Sequence, residues 1–311
     1  MFISICIPTY KSGTKLERLL DSIKIQTFSD YEVVVSDDSP DDSMKKIIDE
    51  KYADMNIRYF HNNPSLGTPQ NWNFAVYKSQ GKWINLMHHD DWFCNENSLS
   101  EFASYARRSR TANFLFCAFQ NHYLDMGTTE DFYCSTVEIF LLKINRLNLF
   151  KTFMGNPSCT LIHSRNKPYF YDTRFKWLID FDFYWSLFKI NPSFTYIDKM
   201  LVCVGMHKGQ VTATVFQNPQ VEVPESITLL TKHETSILKN IFVYDFFWRM
   251  YRNLKIRSVN EFNSYLPFKC EIISVIDMIT AQSKIPHSKL KIGIFSKFFM
   301  LIAFLKNYFQ N

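Results

Sequence analysis

Apolar and polar positions follow two rhythms along the first two thirds of the chain. Phe2 to Ile7 is apolar apart from Ser4, and it is closed by Pro8-Thr9-Tyr10, which predicts a short buried strand. Leu16, Leu19, Leu20 and Ile23 then recur at helical spacing, with Thr14 and Glu17 as a capping-box pair. Glu32 to Ser36 reads as a second strand, and it runs out into Asp37-Asp38-Ser39-Pro40 before a helix that turns Met44, Ile47 and Ile48 inward. Ile57 to His61 is a third. Beyond it, Thr68 is placed to cap, and Pro69 to open, a helix with Trp72, Ala75 and Val76 on its buried face. Trp83 to Met87 is a fourth apolar strand, followed by a helix that starts at Ser98 with Glu101 and carries Leu99, Phe102, Ala103 and Ala106 in one stripe. Strand and helix in alternation predict an α/β fold, a mostly parallel, right-handed sheet covered by helices.

The rhythm loosens after a strand candidate at Asn113 to Phe119. Residues 120–136 are polar and aromatic without period, and Val137, Phe140, Leu141 and Ile144 predict a helix running toward Phe153. Cys159 to His163 reads as a strand, Phe181, Trp185 and Phe188 lie at helical spacing, and Lys199 to Met206 is a further strand ending in the polar segment His207 to Thr212. Residues 225–311 are helical, aromatic and basic, so the expected division is a catalytic unit over 1–215 and a helical appendage over 216–311. Near its end the apolar run Phe298 to Leu305, eight residues flanked by lysines, is too short to span a bilayer, which needs roughly 18. It suits a helix lying in a membrane interface, or one packed in a core or a dimer.

Composition narrows the class. With 46% hydrophobic and 17% aromatic residues among 311, the chain buries a large core and is not disordered. A formal charge of +5, scattered until the C-terminal stretch, leaves no nucleic-acid footprint and makes a membrane surface the better partner. Seven cysteines, an odd number without Cys-x-x-Cys spacing, suit a reducing cytosol. No basic region or cleavage site marks a signal peptide, so the mature protein is expected to begin at Met1.

The densest chemistry sits where the fourth strand stops, in His88-His89-Asp90-Asp91. Ligands of parallel α/β sheets bind beyond the carboxyl ends of the strands, and hard cations prefer carboxylate oxygens. The pair therefore points to a divalent metal holding a phosphorylated ligand, against the alternative that Asp91 and Asn95 merely shape a turn.

Ile7-Pro8-Thr9-Tyr10, Val35-Ser36-Asp37-Asp38-Ser39, Asn63 to Gly67 with Asn71-Trp72-Asn73, Gly81 with His89-Asp90-Asp91, and Asp180 with Asp182 occur in an order and spacing that resembles the family 2 glycosyltransferases over about the first 215 residues. The resemblance implies the GT-A fold and inverting transfer of a sugar from a nucleotide diphosphate to a hydroxyl. Enzymes with this His-Asp-Asp variant resemble those of bacterial O-antigen or capsule assembly. It further implies that Pro8, Thr9 and Tyr10 line a nucleoside pocket, with Asp37 and Asp38 at the base. A carboxylate only accepts, which fits the imide edge of uracil or thymine. Gly67, Asn71 and His89 would contact the donor, Asp90 the donor sugar or ribose, and Asp91 an Mg2+ or Mn2+, with Asp90 beside it. His88 stands where the family often has an acid. Asp180 matches the catalytic base, with Asp182 as the alternative, and His207 resembles a histidine that approaches the diphosphate or metal. The expected partners are a nucleotide-sugar donor and a lipid-linked saccharide, met from the cytoplasm at the inner face of the cell membrane. Two other readings stand beside this one: a degenerate, nucleotide-sugar-binding subunit, and a receiver-like signalling module. A receiver needs a phosphoacceptor Asp on a middle strand and a late Lys within a much shorter chain.

Overall fold

The computed structural model describes residues 1–152, 154–210 and 214–310. The chain forms two compact units, one comprising Met1–Ile139, Phe153–Thr173 and Asp182–Gln210, the other Phe140–Thr152, Arg174–Phe181 and Val211–Asn311.

The first unit holds the sheet. Its strands are β1 (Ile3–Thr9), β2 (Tyr31–Asp37), β3 (Ile57–His61), β4 (Trp83–Leu86), β5 (Trp92–Phe93), β6 (Phe114–Tyr123), β7 (Thr128–Phe132), β8 (Thr160–His163) and β9 (Thr195–Met206). They run in the order β3-β2-β1-β4-β8-β6-β9-β5, with β7 on β6. β1, β2, β3 and β4 pair in parallel, as do β6 and β9, while β8, β5 and β7 join antiparallel. The α/β sheet-and-helix architecture is the one the alternation predicts.

Helices α1 (Gly13–Lys24), α2 (Ser43–Lys51), α3 (Gln70–Lys78) and α4 (Ser98–Arg108) connect the parallel strands. Leu16, Leu19, Leu20, Ile23, Leu99, Phe102 and Ala103 are buried as their spacing requires. Two of the polar residues inside the apolar strands are explained by each other: Ser4 Oγ donates to Glu32 at 2.6 Å and accepts from the Gly81 N–H at 2.7 Å, which fixes the chain as it enters β4. Arg58 neutralises Glu32 at 2.8 Å.

Several local expectations are corrected. α1 begins at Gly13 behind Ser12, with no side-chain cap, and Glu17 pairs instead with Lys51 at 2.7 Å. Pro69 is the residue before α3 rather than its first, and α4 is preceded by Asn97, leaving Ser98 inside the helix. In both, backbone contacts close the first turn, so the side-chain signal is unused. Residues 120–136 are not irregular: β6 continues to Tyr123 and turns into β7, an exposed edge strand with no buried face to give it a period. Helix α5 (Thr136–Ile144) is present, but Val137, Phe140 and Ile144 are exposed and only Leu142 is buried. Phe153, Val211 and Thr212 lie outside the described residues.

The second unit is built around helices α7 (Pro219–His233), α8 (Ile241–Asn253), α9 (Val259–Ser264), α10 (Ile273–Ser283), α11 (His287–Leu290) and α12 (Gly293–Gln310), and its described residues contain no strand. α6 (Ile179–Ile190) begins in this unit and continues into the first. Phe247, Trp248 and Tyr251 on α8 are fully buried. Trp248 Nε1 donates to Ser296 at 3.1 Å and Tyr251 to Ser226 at 3.0 Å, so the aromatic core has its polar handles satisfied. No helix among the described residues is long and apolar enough to cross a membrane.

Candidate active site

Two linked networks occupy the carboxyl ends of the parallel strands in the first unit. The first gathers Thr9, Asp37, Asp38, Gly67 and Asn71. Asp38, almost fully buried, accepts from Asn62 Nδ2 at 2.8 Å, Leu66 N at 3.1 Å and Gly67 N at 2.7 Å, so it shapes the loop that precedes α3. Asp37 accepts from Ser39 N at 2.8 Å and the Tyr59 hydroxyl at 2.6 Å. Asn62 Nδ2 also reaches Asn71 at 3.2 Å, and Asn71 reaches the Thr9 carbonyl at 3.4 Å, closing the network onto the end of β1. Thr9 Oγ1 is buried without a hydrogen-bond partner among the described residues, and Tyr10 beside it is exposed.

The second network follows β4. Asp91 is fully buried and accepts three hydrogen bonds: from Gly205 N at 3.0 Å, Asn156 Nδ2 at 2.8 Å and Ser158 Oγ at 2.6 Å. Burial, with the neighbouring Asp90 charge added, pushes its carboxyl up to about 7 in spite of those donors. Asp90 holds its Oδ2 between His207 Nε2 at 3.0 Å and Gln210 Nε2 at 3.2 Å, and no other described residue donates to its Oδ1. The Gly209 N–H donates to His207 Nδ1 at 3.1 Å, which fixes the ring with Nε2 toward Asp90. Lys15 Nζ stands 2.8 Å from the same nitrogen. Arg18 donates to the Asp90 carbonyl at 2.9 Å and lies over the Trp92 ring at 3.8 Å, pinning the backbone of the pair.

His88 and His89 lie just past the strand and face different neighbours. His89 Nδ1 is 3.3 Å from the Pro8 carbonyl. His88 packs on Trp72 with ring centroids 4.7 Å apart, its Nδ1 is 3.9 Å from Asp91, and its buried Nε2 has no partner among the described residues. Burial lowers it to about 4, so it is neutral at pH 7 and offers a lone pair. Ligand atoms of His88, Asp90 and Asp91 lie within 4.8 Å of one another.

Asp180 belongs to the second unit. Burial alone raises its carboxyl to about 7, and its buried Oδ1 has no hydrogen-bond partner among the described residues. Beside it Phe181 stacks on Phe150 at 5.1 Å and approaches Phe246 at 4.9 Å. The segment leading into α6 is held by Glu225 of α7, which accepts the backbone N–H groups of Lys176, Trp177 and Leu178 at 2.7, 2.9 and 2.9 Å. Asp182, two residues on, is buried in the first unit.

Residues 4–188 match the model of the family described as Glycosyl transferase family 2. The chain belongs to that family. Over 91 residues this family 2 chain is 32% identical to the GalNAc(5)-diNAcBac-PP-undecaprenol beta-1,3-glucosyltransferase of Campylobacter jejuni, a stretch that spans 29% of each chain. Its fold is GT-A: it superposes on Staphylococcus aureus TarS 1-349 in complex with UDP-GlcNAc with a TM-score of 0.66 at 16% identity, covering 99% of this chain and 89% of that one. The mannosyltransferase PcManGT of Pyrobaculum calidifontis, in complex with GDP-Man and Mn2+, gives 0.59 at 13% identity, covering 99% and 86%.

A divalent cation fits the donor set of this family 2 chain. The Asp90 Oδ1, the Asp91 carboxylate and the neutral His88 imidazole would hold it, and its charge would relieve the repulsion between the adjacent acids. Sequence reasoning missed Asn156, Ser158, Gly205 and Gln210, which hold the two acids from 65 to 120 residues away along the chain. Their only sequence signal was position, a turn before β8 and the end of β9.

Gly205 is required for space: a Cβ there would lie 2.2 Å from the Asp90 carbonyl oxygen. Gly205→Ala is expected to lower the unfolding free energy by about 2 kcal/mol through overpacking. Urea denaturation checks this, and an unchanged midpoint would show that the Asp90 backbone is free to move.

Proposed function

We propose that this chain is an inverting glycosyltransferase that moves a sugar from a UDP- or dTDP-sugar to a hydroxyl of a lipid-linked saccharide, in the assembly of a bacterial surface polysaccharide such as O-antigen or capsule. It works from the cytoplasm at the inner face of the cell membrane. The observation that carries the reading is the Asp90–Asp91 pair at the carboxyl end of β4, with one Asp90 carboxylate oxygen that no other described residue bonds, in a chain of this family. The name of the Campylobacter relative and the UDP-GlcNAc bound to TarS support the acceptor and the donor.

In this reading Pro8, Thr9 and Tyr10 border the nucleoside. Asp38 accepts from the base through Oδ2, which takes one hydrogen bond among the described residues, and Asp37 keeps its neighbour in place. Gly67, Asn71 and His89 line the donor, and His207 with Gln210 holds Asp90 toward it. A bound Mg2+ or Mn2+, held by Asp90 and Asp91, would supply positive charge for the leaving diphosphate. Asp180 takes the proton of the acceptor hydroxyl as its oxygen bonds to the anomeric carbon, and the carbon–oxygen bond to the diphosphate breaks with its electron pair on the phosphate. Asp182 is the alternative base.

A thermal-shift panel of UDP, dTDP, GDP and CMP, each with and without Mn2+, tests this. A ligand that binds only the folded state adds about 2.7 kcal/mol at a hundredfold excess over its Kd. One nucleoside diphosphate is expected to stabilise the protein only with Mn2+. If none does, with or without Mn2+, this reading falls, and binding or signalling explanations replace it.

A further inference from the structure

α12 has two faces of opposite use. Ser296, Met300, Ala303, Phe304 and Asn307 are buried, at the spacing of one helix stripe, and dock the helix within the second unit: Ser296 accepts from Trp248 at 3.1 Å and Arg252 at 2.9 Å, and Asn307 donates to Tyr244 at 3.2 Å. The packing a helix needs from its neighbours is thus already supplied by one side. At roughly 100° per residue the opposite side carries Ile294, Phe298, Leu301, Ile302, Leu305 and Phe309. All six are exposed, Ile294 by 77%, Phe298 by 58% and Phe309 by 80%. A solvent-facing side should be polar, and this one has an unbroken apolar ridge along a helix of 18 residues, about 27 Å long.

The charges identify the occupant. By the same rotation Lys297 and Lys306 fall on the two borders of the ridge; a long side chain such as that of Lys306 carries its ammonium group outward from an apolar surface. From Met278 to Asn311 the chain has five lysines and no Asp or Glu. Lys297 is paired with Asp245, while Lys284, Lys289, Lys291 and Lys306 make no ion pair among the described residues. A second copy seated on the ridge would set this acid-free segment against its own like, and like charges repel. An anionic bilayer complements both properties at once, apolar side chains among the acyl chains and ammonium groups among the head-group phosphates. The helix is not apolar enough over its length to cross.

We propose that α12 is the membrane-docking element of this chain, lying in the plane of an anionic lipid surface with Phe298, Leu301 and Leu305 inserted. The purpose of the docking, reaching a lipid-linked acceptor, rests on the transferase reading; the docking itself does not.

Flotation of the full chain with phosphatidylglycerol–phosphatidylcholine vesicles, against vesicles of phosphatidylcholine alone, is the test, because it is read without donor or acceptor. A failed nucleotide panel would leave its result standing. Wild type is expected to float at least tenfold better with the anionic vesicles. Phe298→Ser, Leu301→Ser and Leu305→Ser combined should lose at least tenfold while keeping the wild-type urea midpoint, since all three side chains are already exposed. Lys289→Gln, Lys291→Gln and Lys306→Gln combined should erase the preference for phosphatidylglycerol. Wild type that does not float, or a triple-serine variant that floats undiminished, overturns the proposal. So does a wild-type dimer in sedimentation that the triple-serine variant splits, which would make the occupant a second copy.

Discussion

Asp180→Asn is expected to bind the donor nucleotide as wild type does and to transfer sugar roughly a hundred to ten thousand times more slowly, the range that a positioned general base supplies. The carboxyl is raised to about 7 by burial, with no hydrogen bond on Oδ1 among the described residues to stabilise the charged form. A base acts deprotonated, so wild-type transfer should rise with pH through about 7 and level off above it. Stability runs the other way. The folded-state value lies above the unfolded one, so the folded chain holds an extra proton between them. The stabilisation this gives is complete below the unfolded value, near 4, and is lost as pH rises through about 7. Asparagine resembles the protonated group, so the variant should be no less stable than wild type at pH 8, and its inactivity cannot be blamed on unfolding. Single-turnover transfer beside a melting curve checks both halves. Transfer at the wild-type rate would remove Asp180 from the chemistry, and a dead Asp182→Asn would put the base two residues on.

Asp91→Asn should abolish the Mn2+-dependent stabilisation by a nucleoside diphosphate while leaving the ligand-free protein folded. The substitution replaces an oxygen that accepts from Asn156 and Ser158 by an amide that donates. Both neighbours can turn to accept, since a hydroxyl rotates and a primary amide flips. The loss is offset further because a neutral amide escapes the burial and the Asp90 charge that push the carboxyl up to about 7. What asparagine cannot restore is a second negative charge for a hard cation. The expected readout is therefore an unchanged ligand-free melting temperature and the disappearance of a shift worth about 2.7 kcal/mol at hundredfold excess. A variant that keeps the Mn2+-dependent shift would move the cation to Asp90 alone.

The parallel half of the sheet was legible because β1, β2 and β4 are buried on both faces, so most of their residues are apolar, and of the polar ones Ser4 and Glu32 bond to each other. The acids at the strand ends were legible for the same reason: charge after such a run has few structural uses. β5 and β7 were hidden by length and exposure. Two residues, Trp92 and Phe93, carry no period, and Thr128 to Asp131 point no side chain into a core. The capping pairs at Thr14, Thr68 and Ser98 misled because local chemistry offers a cap that the backbone, already closed by Ser12, Gly67 and Asn97, does not use. Helical spacing placed α5 and an apolar run placed α12, and neither said which side would find a neighbour, as exposed Phe140 and Phe298 demonstrate.

Glu225 lies beyond residue 188, where the match to the family ends, yet it gathers three amide protons of the strand-to-helix approach just ahead of Asp180. A shortened chain stopping at the family boundary would leave those amides without an acceptor, each an open donor competing for water. The tail is thus a splint for the approach to Asp180, and under the proposed function an inactive truncation would report a slackened base, whatever the tail does for substrates.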